Sequence, residues 1–194
     1  MGLTTGVVQG IILGAVLAFI TANLILNAVA RAMQTTVNGW STNLKCSQPG
    51  NGIFQRAACA KVLPAVNVAQ EAAYWTTTVD GAGKRLNGQH DYVLHFPAGQ
   101  LPPNDAFWSL TMTDVQGYMV KTPSDRHSVG DRSNLVQNAD GSTDIHIQNT
   151  TAEGHESNWL PAPTGNFKLW LRAYLPGKAI LDGEYHLPPV VRVR

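Results

Sequence analysis

The chain has 194 residues, 14 Lys and Arg against 13 Asp and Glu, a net charge of +1 and 44% hydrophobic residues. No basic stripe runs through it, which excludes an electrostatic nucleic-acid binder. Every charged residue lies at or beyond Arg31, and the stretch from there to Arg194 is long enough to bury one core, so a single soluble domain is expected behind a leader of another kind.

The leader from Gly2 to Ala30 contains no Asp, Glu, Lys, Arg or His. A membrane span takes about 20 apolar residues, and Val7 to Ala30 supplies them although Gln9, Thr21, Asn23 and Asn27 interrupt. A transmembrane anchor helix is predicted over 1–32. Gly2, Gly6, Gly10, Gly14, Ala18 and Ala22 recur at every fourth position. Lipid gives helices no hydrophobic reason to associate, so close approach through such small residues points to a second transmembrane helix, in a homo- or hetero-oligomer. An amide such as Asn23 or Asn27 adds only about 0.6 to 2 kcal/mol across such a contact. Ala28-Val29-Ala30 has the form of a signal-peptide cleavage site, but no positive charge precedes the run and the run exceeds a signal core. A retained anchor is the expectation. Arg31 and Lys45 are too few to set orientation by the positive-inside rule.

A helical neck is predicted over 33–79. Val37, Trp40 and Leu44 recur at helical spacing within Thr36 to Leu44, and Val66, Ala69, Ala73 and Tyr74 do so within Ala65 to Trp75. Trp40 suits either a headgroup interface or the underside of the domain. Pro49 and Pro64 break the region. Cys46 and Cys59 either close a short loop, worth about 3 kcal/mol and implying an oxidising compartment, or stay buried thiols. Their spacing is no metal signature.

From 80 to 194 the period becomes two, and a mainly β domain is expected, an antiparallel sandwich of jelly-roll type. Tyr92 to Phe96 and Asp144 to Gln148 alternate. Phe107 to Thr113 sets Trp108, Leu110 and Met112 against Ser109, Thr111 and Thr113. Phe167 to Tyr174 puts Phe167, Leu169 and Leu171 inward, with Lys168, Trp170, Arg172 and Tyr174 opposite. Val190 to Val193 reads as a closing edge strand. Asp80-Gly81, Asn87-Gly88, Asp140-Gly141 and Asp182-Gly183 are turn signals whose glycines accept positive φ. Without strand-helix alternation, a nucleotide-binding α/β sheet is not expected.

Phe107-Trp-Ser-Leu-Thr-Met, Asn138-Ala-Asp-Gly-Ser142, Asn158-Trp-Leu-Pro-Ala-Pro163, Leu171-Arg-Ala-Tyr174 and Pro188-Pro189 resemble the motif series of the bacterial family known as domain of unknown function 1214, over roughly Glu71 to Arg194. Thr113 departs from it, standing where Tyr is common before Asp114. The resemblance implies a β-sandwich of cell-envelope proteins, commonly paired with domain of unknown function 1254. This chain, lacking that companion, resembles the short stand-alone members. It implies no established activity. With the anchor, it implies a single-pass protein of the bacterial inner membrane, its C-terminal domain in the periplasm.

The candidate ligand or partner surface is Trp159, Trp170, Arg172 and His146. Trp159, in a proline-flanked segment, suits a structural lock or a ligand edge. Arg172, if covered, needs a carboxylate or carbonyls, with Asp114 and Asp144 as candidate partners, and reads as a structural ion pair or an anion site. For acid-base chemistry there are only ingredients. His95, His127, His146 and His155 are available, with Asp114, Asp125, Asp131, Asp144, Glu153 and Glu156. Asp125-Arg126-His127 and His155-Glu156 are the nearest pairs, and no hydrolase, zinc or phosphate-loop motif accompanies them. No cofactor or metal is expected. Two function classes stay open: a non-enzymatic accessory or structural envelope subunit in contact with lipid and a partner helix, whose sandwich docks on a partner or binds a small ligand, and alternatively a tethered hydrolase or carbohydrate-processing enzyme. A pocket where His, Asp and Arg converge would favour the enzyme.

Overall fold

The computed structural model describes residues 2–63, 66–122 and 124–193. Pro64 and Ala65, expected as a break and the start of a helical run, lie outside them. The uncharged leader forms one helix, α1 (Gly2–Met33). Within Thr4–Met33 its most apolar 18-residue stretch has a mean hydropathy of 2.2 and no share buried, and among the described residues it is the one helix long and apolar enough to cross a membrane. Thr4 to Ala22 are exposed throughout, whereas Asn23, Leu26 and Ala30 are covered on one side of the helix. A second helix, α2 (Ile53–Val62), packs on α1, and its Lys61 Nζ donates to Asn23 Oδ1 at 2.7 Å. Cys46 and Cys59 are joined in a disulfide with Cα atoms 5.6 Å apart. Met1–Gln34 and Lys45–Val66 form one compact unit, and Thr35–Leu44 with Asn67–Arg194 form another.

The second unit is mainly β. Its strands are β1 (Thr35–Val37), β2 (Trp40–Thr42), β3 (Ala72–Thr77), β4 (Tyr92–Phe96), β5 (Asn104–Asp114), β6 (Ser128–Gly130), β7 (Thr143–Gln148), β8 (Trp159–Pro161), β9 (Phe167–Pro176) and β10 (Val190–Arg192), with a short helix α3 (Lys178–Leu181). One sheet runs β1-β2-β3-β9-β5-β6 and the other β10-β4-β7-β8. The first is antiparallel throughout. The second departs from the antiparallel expectation at β7 and β8, which pair in parallel because the chain crosses over through 149–158 before re-entering the sheet. Alternation drives the layering. Phe167, Leu169, Leu171 and Ala173 of β9 join Trp108, Leu110 and Met112 of β5, and Leu94, Phe96, Ile145, Ile147 and Leu160 from the other sheet, in one buried cluster. Two sheets burying their inner faces in a shared core make a sandwich.

Two segments read as helix are strands. Thr36 to Leu44 folds as the β1-β2 hairpin, because Asn38 and Gly39 take φ of 53° and 83° and make the two-residue turn that matches strand twist. Trp40 is thereby buried in the sandwich core, its Nε1 donating to Pro188 O at 2.9 Å, while Asn38 Nδ2 donates to Leu187 O. Burying such a ring is worth about 3 kcal/mol. Ala72 to Thr77 is also a strand, paired along its length with β9. Its small alanines fit a helix as readily, but Ala73, Trp75 and Thr77 alternate into the interior, and sheet pairing overrides propensity. Of the expected turn glycines, Gly141 and Gly183 take positive φ. Gly88 is needed for space: a Cβ there would lie 1.6 Å from Pro163 O.

Candidate functional site

The four residues expected to form one surface lie on two opposite faces of the sandwich. On the outside of the six-stranded sheet, Lys168, Trp170, Arg172 and Tyr174 of β9 stand in a row, with Thr111 of β5 opposite Trp170 and Phe107 opposite Tyr174. Alternate residues of a strand share a face, so the flexible cations fold over the ring between them. Lys168 Nζ lies 4.2 Å from the Trp170 ring centroid and Arg172 Cζ 5.5 Å from it. Phe107 and Tyr174 stack at 4.4 Å, and Arg132 lies 4.3 Å over Phe107. Neither Asp114 nor Asp144 partners Arg172. Its Nη1 donates to Thr111 Oγ1 at 3.0 Å, because Asp114 closes the turn after β5 by accepting three backbone N–H groups and Asp144 belongs to the other sheet. Burial pushes the Lys168 ammonium below the usual lysine range. Among the described residues no carboxylate pairs with Lys168, Arg172 or Arg132, and the buried Trp170 Nε1 has no acceptor.

On the outside of the four-stranded sheet the β4-β7 register sets His95 opposite Asp144. His95 Nδ1 and Asp144 Oδ1 are 2.6 Å apart, and Asn138 Nδ2 donates to Asp144 Oδ2 at 2.9 Å. Burial pulls the Asp144 carboxyl upward, but the bonds from His95 and Asn138 and the nearby imidazoles outweigh it and hold the carboxyl below its ordinary value. His146 faces the same side, its ring centroid 4.4 Å from that of His155. Burial first, and His155 second, push His146 below the usual histidine value against the pull of Asp144. Asp144, Asn138, His155, Glu156 and Asn158 border a cleft of about 180 Å³. Arg126 donates to the carbonyls of Glu156 and Ser157, each at 2.6 Å. Trp159 is buried, and its Nε1 donates to Gln148 O. Asn158 clasps Val136 through two bonds and donates to Asp144 O.

This cleft is bordered by the side chains of Asp144, His155 and Glu156, with Arg126 bound to the carbonyls of its wall rather than lining it. His95, oriented through Nδ1 by a carboxylate, has its Nε2 left for acid-base work. No hydroxyl or thiol hydrogen-bonds to an imidazole among the described residues, so a nucleophile-base pair is not assembled there. Among them, too, no group of three or more His, Cys, Asp or Glu is arranged to hold a metal. Asp125 and His127 do meet, at 3.2 Å, in an exposed loop. His155 and Glu156 work apart: Glu156 Oε1 accepts the Gly154 N–H. Asp131 accepts the Trp108 N–H across the edge of the six-stranded sheet. The His95-Asp144 pairing was missed from sequence because it depends on strand register across 49 positions. A wider cleft of about 640 Å³ borders β10, where Asp80 is already occupied by the N–H groups of Ala82 and Lys84.

The family model described as "Protein of unknown function (DUF1214)" matches residues 71–178, more than half of the chain. The chain belongs to the DUF1214 family. The matched stretch of this DUF1214 chain runs from β3 through β9 and carries both polar clusters. The crystal structure of the VPA0106 protein from Vibrio parahaemolyticus is similar at 30% identity with a TM-score of 0.64, over 75% of this chain and 36% of that one. The DUF1214 chain thus spans about a third of the length of that protein. A crystal structure of an uncharacterized protein from Burkholderia cenocepacia aligns at 13% identity with a TM-score of 0.42, over 90% of this chain and 49% of that one. A comparison with curated proteins finds no match.

Proposed function

We propose that this DUF1214 chain is a non-enzymatic accessory or binding subunit of the bacterial cell envelope, held in the inner membrane by α1 with its β-sandwich in the periplasm. One observation carries the reading. The stretch of α1 that is exposed throughout, Thr4 to Ala22, is about 28 Å long at about 1.5 Å per residue, which matches the roughly 30 Å hydrocarbon core of a bilayer. The Cys46–Cys59 disulfide supports the periplasmic side, where such bonds persist. Gly6, Gly10 and Gly14 have nothing within 4 Å of an added Cβ, and Ala18 and Ala22 continue that open row, which suits contact with another transmembrane helix in lipid.

Alkaline carbonate washing of membranes tests the anchor, and the chain is expected to stay with the lipid. Release into the wash, or mature chains beginning near Arg31, would sink the reading. Replacing Gly10 and Gly14 together by Ile tests the helix contact: co-purification of a membrane partner or a second tagged copy should fall, and unchanged association counts against it. The His95-Asp144 pair favours a second reading, a tethered hydrolase or carbohydrate-processing enzyme. Turnover of a glycan or ester substrate that disappears in His95→Ala would establish it.

A further inference from the structure

We propose that the Lys168-Trp170-Arg172 face of β9 is a binding site for a small phosphate-bearing ligand, with Thr111 of β5 as its fourth donor. The proposal rests on the binding-subunit reading and names the chemistry of the ligand; it does not depend on the anchor.

Lys168, Trp170 and Arg172 bring three donor side chains to this face. Lys168 holds its ammonium 4.2 Å from the Trp170 ring and Arg172 its guanidinium 5.5 Å from it, so both charges sit around one indole. Lysine and arginine carry only donors. The Trp170 Nε1–H, a donor as well, is buried without an acceptor among the described residues. Thr111 accepts from Arg172, which leaves its hydroxyl proton to donate. Four donor groups therefore lie on one face, and none of the ion pairs among the described residues brings a carboxylate to them. Buried donors are ordinarily partnered, and a partly buried cation is ordinarily neutralised. What completes this set is a group made only of acceptors with charge enough for two cations, and a phosphate dianion is such a group. A membrane surface is recognised differently, by clusters of four to eight exposed basic residues on long stems. Here two cations are partly buried against a ring, which suits a discrete ligand. The stacked Phe107 and Tyr174, next along the same face, offer an apolar bed for whatever the phosphate is attached to.

The test uses the full chain in maltoside micelles, labelled with ¹⁵N, and follows the indole N–H signals of its 5 tryptophans. Loss of a signal in Trp170→Phe assigns that of Trp170. Inorganic phosphate, against chloride at equal ionic strength, is expected to move the Trp170 signal saturably downfield as the N–H gains an acceptor. Lys168→Met and Arg172→Gln should each weaken the response about tenfold or more, the usual worth of a hydrogen bond to a charged group. Lys168→Arg should restore most of it. The signals of Trp40, Trp75, Trp108 and Trp159 report in the same spectra that each variant is folded. A Trp170 signal that ignores phosphate, or that moves equally in both cation-removing variants, overturns the proposal. So does a response confined to micelles doped with phosphatidylglycerol, which would make the face a lipid contact. None of these outcomes touches the carbonate or co-purification results, so failure of the site and failure of the anchored-subunit reading are told apart.

Discussion

The surroundings of His146 disfavour its protonated form. It lies partly buried beside the His155 ring, and both burial and that neighbour oppose its protonation, while Asp144 only partly offsets them. Its native pKa is therefore below its unfolded value of about 6.5. Between the two values the unfolded chain binds the extra proton, so stability declines as pH drops below about 6.5 and levels off under the native value. Asp144 acts in a separate window. Its carboxyl is held low by His95 and Asn138, so its contribution is present above about 3.9 and lost as pH falls through its native value. Replacing His146 by Phe keeps a ring against His155 and removes the titration. The expected result is a smaller loss of melting temperature between pH 7 and pH 5 than in the parent chain. The comparison is made between variant and parent at each pH. Equal slopes would remove His146 from the account.

At the scale of elements, close backbone approach fixes the loop ahead of β4. Gly88 N–H donates to Gly165 O at 3.0 Å, and a methyl group on Gly88 would fall 1.6 Å from Pro163 O and 2.8 Å from its carbonyl carbon. Backbone cannot step aside as a flexible side chain can. Gly88→Ala is expected to cost about 3 kcal/mol, the upper end of overpacking penalties, read as a lower denaturation midpoint. Gly165, its hydrogen-bond partner, has open space at the Cβ position, and Gly165→Ala should stay within about 0.5 kcal/mol of the parent. Similar losses in both would refute the steric argument. The same distinction between local and distant determinants explains what could be read in advance. Strands β5, β7 and β9 were legible because period-two alternation is local. The Asn38-Gly39 hairpin carries an equally local turn signal, which competes in sequence with the helical spacing of Val37, Trp40 and Leu44. Ala72 to Thr77 was not legible, since it is a strand only by pairing with β9. The cation-aromatic row of β9 was visible as an alternating face, but the Thr111 partner of Arg172 and the Asp144 partner of His95 depend on register, which no short window of sequence contains.

The whole molecule divides where its cysteines do. Both lie in the unit formed by Met1–Gln34 and Lys45–Val66, and the sandwich unit has none. The disulfide closes a loop spanning 13 positions, worth about 3 kcal/mol in the loop-entropy account. Besides the disulfide, the helix that it serves is held by its packing on α1 and the Lys61–Asn23 bond. Of α2, only Ala58 and Cys59 are buried, and its N-cap Gly52 makes no side-chain capping bond. The sandwich, by contrast, rests on a cluster drawn from both sheets, with Leu94, Leu110, Ile145, Leu169 and Leu171 fully inside. Replacing Cys46 and Cys59 together by Ser should therefore act on one unit. Hydrogen exchange of the full chain in micelles is expected to show α2 amides losing about a hundredfold in protection, the equivalent of about 3 kcal/mol, while those of β5 and β9 keep theirs. A matching loss in the strands would mean that the two units open together and that the bond stabilises the sandwich as well. Unchanged α2 protection would mean that its packing on α1, with the Lys61–Asn23 bond, holds the helix without the crosslink.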